Sequence, residues 1–152
     1  MIKYLKPTLE DIPKMQKLIE PEVKEGIILP RSDDEVATNI RSYFTAKDDD
    51  KLIGFTALHI HSQNLAEIRS LIVDRAYRGK GIGKELIKQA ILEAKILKVK
   101  KIFTLTYEKG FFEKMGFSEI AKELLPEHKI WADCIKCKHF PICNEIALIK
   151  EL

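Results

Sequence analysis

Apolar positions change their period several times along the chain, and the changes mark its elements. Ile2 to Leu5 alternates with lysine and tyrosine and reads as a short strand. Ile12, Met15, Leu18 and Ile19 recur at helical spacing behind Thr8, which predicts a helix capped by Thr8 and ended by Pro21. Gly26 to Pro30 reads as a loop. Ser32 with Glu35 three residues on is a capping box, and Val36, Ile40 and Phe44 continue its apolar face, so a second helix is expected through Phe44. Asp48-Asp49-Asp50 reads as a solvated turn. Lys51 to His61 is a long, almost unbroken apolar run, and Gln63-Asn64 turns it into a second run, Ala66 to Val73. Leu86, Ala90, Ala94 and Leu97, flanked by Ile87 and Ile91, form the apolar stripe of a helix over Glu85 to Leu97. Ile102 to Thr106, Phe117 to Ile120 and Ile146 to Leu152 read as strands, with a short helix over Glu108 to Met115. Helices interleaved with a mostly antiparallel sheet make an α+β fold.

The connection between the second apolar run and the long helix carries the first chemical signal. It reads Arg78-Gly79-Lys80-Gly81-Ile82-Gly83-Lys84. A strand, a glycine-rich turn and a helix N-terminus together make an anion site, because unpaired backbone N–H groups and the helix dipole both favour negative charge there. Arg78, Lys80 and Lys84 can supply countercharge. The P-loop pattern fails, since Arg78 stands at its first glycine and Glu85 at its hydroxyl. The dinucleotide fingerprint fails on spacing, Gly-x-Gly-x-Gly instead of Gly-x-Gly-x-x-Gly. Arg-x-x-Gly-x-Gly, from Arg78 to Gly83, is the pattern that fits.

Composition narrows the class. The 152 residues are 45% hydrophobic and 32% charged, which suits one globular domain over 1–152. No apolar run approaches the ~20 residues of a membrane span. The N-terminal pattern is that of a charged strand and not of a leader, so a cytoplasmic location is expected. A net charge of +3 suits a polyanionic small molecule and gives no reason to expect nucleic acid.

The Arg78–Gly83 turn resembles the acetyl-CoA pyrophosphate loop of the GNAT N-acetyltransferase superfamily. Leu71-Ile72-Val73-Asp74 before it, and Phe111-Phe112-Glu113-Lys114-Met115-Gly116-Phe117 after it, resemble that superfamily's flanking signatures. The resemblance implies the GNAT fold, a mixed and mostly antiparallel central sheet flanked by helices. It also implies acetyl-CoA as cosubstrate, held by Ile72, Val73, Arg78, Gly79, Lys80, Gly81, Ile82, Gly83, Lys84, Phe111 and Phe112.

Further segments, among them Gly26 to Ser32, Ala57-Leu58-His59, Ala66 to Leu71 and Lys129 to Cys134, are similar to the acetyltransferase domain of the N-acetylglutamate synthases, in its short stand-alone bacterial form. This implies acetylation of a free amino acid, L-glutamate or L-glutamine, at its α-amine, the first step of arginine biosynthesis. It leaves room for a homodimer. Two carboxylates call for cationic partners, and arginine grips a carboxylate with two parallel donors. By the resemblance Arg31 and Thr106 contact substrate. His59 stands where relatives often carry lysine, and Arg69 is placed to take over that role. Glu67 and His59 are the candidate general bases and Tyr107 the candidate acid, since Phe112 lacks the hydroxyl that relatives use. An acetyltransferase for another amine, or a non-catalytic acetyl-CoA-binding module, are the alternatives.

All three cysteines lie in Cys134-x2-Cys137-x5-Cys143, with His139 between them. The spacing reads in two ways: a zinc knuckle with His139 as fourth ligand, or reduced thiols in a segment, 121–145, that covers the substrate. Disulfides are not expected in a reducing compartment.

Overall fold

A computed structural model describes residues 1–124 and 145–152. Its strands are β1 (Ile2–Leu5), β2 (Tyr43–Asp48), β3 (Lys51–Ile60), β4 (Leu65–Val73), β5 (Lys101–Thr106), β6 (Ser118–Ile120) and β7 (Ile146–Glu151). Its helices are α1 (Ile12–Lys24), α2 (Asp33–Thr38), α3 (Ile82–Ile96) and α4 (Lys109–Glu113). Among the described residues the strands form one sheet in the order β1-β2-β3-β4-β5-β7-β6. Among these neighbouring pairs only β4 and β5 are parallel. The expected α+β class with a mostly antiparallel mixed sheet is the one found.

The sheet is covered on both faces, which explains the unbroken apolar runs. On one face Leu86, Ile87, Ala90 and Ala94 of α3 pack with Ile53, Leu58 and Ile68. On the other Ile12, Met15 and Ile19 of α1 pack with Leu52, Phe55 and Ile72. A strand inside such a sandwich has no polar face and loses the alternation that marks a half-exposed strand. No helix among the described residues is long and apolar enough to cross a membrane.

Three boundaries differ from expectation. Thr8 caps a 3-10 turn, Leu9–Asp11, and α1 starts after it at Ile12. Pro21 does not end α1, which runs on to Lys24. Glu22, one residue later, is buried and bonded to Arg78 and Arg75, so tertiary ion pairs hold a last turn that proline weakens. The second helix does not reach Phe44. Ser32 caps it, accepting from the Glu35 N–H at 3.1 Å, but α2 stops at Thr38 and Phe44 lies in β2. There Tyr43 to Ala46 are all buried and paired with β3, and Thr45 and Ala46 are paired with β1 as well. The ladder with β3 outweighs a helical spacing shared by three apolar side chains. The turn that follows is Asp49-Asp50, with Asp48 as the last residue of β2.

Candidate active site

The site begins where two strands part. β4 and β5 are paired only from Leu65–Glu67 to Lys101–Phe103. The Thr104 hydroxyl donates to the Ile68 carbonyl at 3.0 Å, and beyond it the strands diverge. The gap is a cleft of about 840 Å³, walled by Ile68 to Val73 on one side and Thr104 to Glu108 on the other. The loop carrying Arg31 and the glycine turn close its two ends.

β4 is also bulged against β3. Phe55 opposes Ile72 and Ala57 opposes Arg69, so Ser70 and Leu71 share the place opposite Thr56. Ser70 adopts φ 57°, a left-handed conformation that serine rarely takes. The ladder resumes with the Asp74 N–H donating to the Ile53 carbonyl at 2.7 Å. By the alternation of an antiparallel pair, Val73 then directs its N–H and carbonyl away from β3, toward the cleft side. Its carbonyl accepts from Arg78 Nε at 3.1 Å.

The glycine turn has the conformation an anion site needs. Gly79 and Gly81 sit at φ 80° and 82°, where a side chain is strained, and Gly81 is the N-cap of α3. Gly81 offers no side-chain cap. The N–H groups of Ile82, Gly83 and Lys84 precede the first intrahelical bond, from the Glu85 N–H to the Gly81 carbonyl at 3.1 Å. Lys84 lines the cleft beside them. Lys80 lies 5.2 Å from the centre of the Tyr77 ring. The Tyr77 hydroxyl donates to Asp48 at 2.8 Å, a bond that holds the Asp48 carboxyl below its ordinary range and raises the Tyr77 phenol. Arg78 is engaged elsewhere: Nη2 donates to Glu22 at 3.0 Å, tying the turn to α1. Phe111 packs beside Gly83, while Phe112 is only 2% exposed and stacks edge-on against Phe111 and Phe117.

Arg31 lies at the other end of the cleft, with a smaller opening on its far side. Nε and Nη2 donate to the Leu29 carbonyl at 3.3 and 2.9 Å, and Nη1 donates to Ser70 Oγ at 2.6 Å and to the Tyr43 hydroxyl at 3.3 Å. All of these acceptors are neutral. Among the described residues no carboxylate partners this partly buried guanidinium. Arg69 lines both openings, whereas His59 lines only the smaller one.

The other expected residues divide between floor and rim. Glu67 lines the cleft from inside the sheet, 2% exposed, and its Oε1 is 2.8 Å from His61 Nε2. Tyr107 lines the rim and is 40% exposed. Thr106 lines it too, its hydroxyl accepting from the Glu108 N–H at 2.9 Å. Sequence reasoning missed Ser70, Tyr43, Glu22 and His61. Only His61 left a trace, two residues from His59 and hence on the same strand face. Cys134, Cys137, His139 and Cys143 lie outside the described residues; among the described ones no cluster of His, Cys, Asp or Glu is placed to hold a metal.

Comparison with known proteins fits this geometry. A profile described as the acetyltransferase (GNAT) family matches residues 9–117. An uncharacterized N-acetyltransferase of Chlorobaculum tepidum is 40% identical over 144 residues, 95% of this chain and 92% of that protein. An amino-acid acetyltransferase of Mycobacterium tuberculosis is 31% identical over 113 residues, covering 72% of this chain and 64% of that one. The N-acetylglutamate synthase of Neisseria gonorrhoeae, solved with coenzyme A and N-acetyl-glutamate, superposes with a TM-score of 0.89 at 24% identity, over 100% of this chain and 35% of the synthase. At that identity the last likeness speaks for the fold.

Proposed function

Because the chain belongs to the acetyltransferase (GNAT) family and is an acyltransferase, we propose that it moves acetyl from acetyl-CoA to the α-amine of a free acidic amino acid. L-glutamate is the intended substrate, with L-glutamine as the neighbouring choice, which would make the reaction the entry to arginine biosynthesis. The observation that carries this reading is Arg31. A partly buried cation with only neutral partners is an electrostatically incomplete site, and a substrate carboxylate completes it with charge-assisted, two-pronged hydrogen bonds. Its position across the cleft from the glycine turn leaves room for both reactants.

In this reading the diphosphate of coenzyme A rests on the N–H groups of Ile82 to Lys84, and the thioester lies between β4 and β5. Glu67 takes a proton from the substrate ammonium, and the neutral amine attacks the thioester carbonyl. The Val73 N–H faces the developing oxyanion. The tetrahedral intermediate collapses, the C–S bond breaks, and Tyr107 at the rim donates to the leaving thiolate, whose unperturbed pKa of about 8.5 makes that help modest at neutral pH.

A thiol-release assay against free amino acids, an N-terminal peptide, lysine and a polyamine tests the reading. Release of coenzyme A with glutamate or glutamine well above the other amines is the expected result. Preference for the polyamine or the peptide overturns it.

A further inference from the structure

His61 has no place in the mechanism above, yet it is built around one of its residues. It follows β3 in the turn to β4, where its N–H donates to the Leu65 carbonyl at 2.9 Å, so its backbone is fixed. The imidazole is almost completely enclosed, with side-chain exposure of 2%. It lies against the Phe103 ring at 5.4 Å and edge-on to the His59 ring at 4.6 Å. Nε2 meets Glu67 Oε1 at 2.8 Å.

Glu67 is the last residue of β4 paired with β5 before the strands part, so its carboxyl group stands at the inner end of the cleft. Glutamate has three rotatable side-chain bonds, and a base must present its oxygen within hydrogen-bond reach of the proton it takes. An ionised carboxylate can only accept, so a bond to it requires the proton on His61 Nε2. That charge-assisted bond fixes the carboxylate and compensates it for the water it has lost.

The geometry points to His61 as a positioning residue for acetyl transfer: its Nε2–H holds the Glu67 carboxylate in the orientation that receives the substrate's proton. The inference rests on Glu67 being the base in the reaction proposed above, and not on which amine is acetylated. It predicts a loss in turnover with little loss in binding, since Glu67 lines the cleft and His61 does not.

Two variants and one spectrum test it. His61→Leu removes the donor and keeps the volume apolar; His61→Gln places an amide N–H near the former Nε2. Both are assayed with the amine the wild type turns over best, so a wrong guess about substrate does not affect the outcome. His61→Leu is expected to lower kcat about 10- to 100-fold, with KM for acetyl-CoA and for the amine within about threefold, and His61→Gln to regain most of the loss. An unchanged kcat in His61→Leu overturns the proposal, as does an equal fall in both variants accompanied by weakened acetyl-CoA binding, which marks a merely structural role. Independently, nitrogen NMR of histidine-labelled wild type should show His61 as the Nε2-protonated tautomer, with a signal that moves in Glu67→Gln. A bare Nε2 contradicts the assignment.

Discussion

Lys47 and, at the cleft, Arg31 are both partly buried cations, but among the described residues only Lys47 has an anion beside it. Lys47 Nζ lies 2.8 Å from Asp11 Oδ1, and Asp11 Oδ2 accepts from the Thr8 N–H at 2.8 Å. Burial pushes the Asp11 carboxyl up, but the bonds from Lys47 and the Thr8 N–H outweigh it and hold the group below the usual carboxylate range. The three groups satisfy one another and leave nothing for a ligand. Arg31 is held as firmly, by Leu29, Tyr43 and Ser70, but by oxygens that carry no charge. The scaffold fixes its direction without neutralising it. In the reaction proposed above, the completed Lys47–Asp11 pair serves the scaffold, and the oriented cation of Arg31 beside the cleft receives the ligand's charge.

The comparison breaks most visibly if Arg31 is given its missing anion. Ser70→Asp places a carboxylate beside Nη1, at a left-handed position that aspartate tolerates better than most residues. It should raise the glutamate KM on the order of 10³-fold through lost bonds and like-charge repulsion, with acetyl-CoA binding kept. Removing the cation, Arg31→Ala, should raise the same KM about 100-fold, and Arg31→Lys should recover only part of it, because an ammonium lacks the planar fork. At the other end of the cleft Gly81→Ala should weaken acetyl-CoA about tenfold in calorimetry, from the strain of a side chain at φ 82°. The smallest functional effect belongs to the completed pair. Asp11→Asn should leave kcat and both KM values within about twofold while lowering unfolding free energy by about 2 kcal/mol in denaturant titration. The pH dependence follows from the depressed Asp11 pKa: its contribution is present above the unfolded value of about 3.9 and is lost as pH falls through the folded one. Wild type should therefore lose stability relative to Asp11→Asn below about pH 4.

Local pattern revealed what local pattern controls. β3, β4 and α3 could be read because their apolar runs and stripes are long, and the glycine turn because left-handed backbone at Gly79 and Gly81 demands that residue. β2 was hidden: Val36, Ile40 and Phe44 share helical spacing, and only pairing with β3 shows that Phe44 belongs to a strand. The same holds in the site. Arg31 was legible as a cation in a suitable loop, but its holders Tyr43 and Ser70 come from β2 and from a bulge in β4 that depends on the register with β3. Arg78 was legible as countercharge, but its bond to Glu22 depends on α1 continuing past a proline. His61 could be linked to Glu67 only by knowing how β3 turns into β4.

In the proposed reaction Arg31 receives a substrate carboxylate. The most direct test compares kcat/KM of wild type and Arg31→Ala on L-glutamate and on L-glutamic acid diamide, which keeps the amine and carries no carboxylate. A fall of about 100-fold is expected for glutamate and of less than threefold for the diamide. An equal fall for both would show that Arg31 supports the fold of the cleft and does not read the substrate's charge.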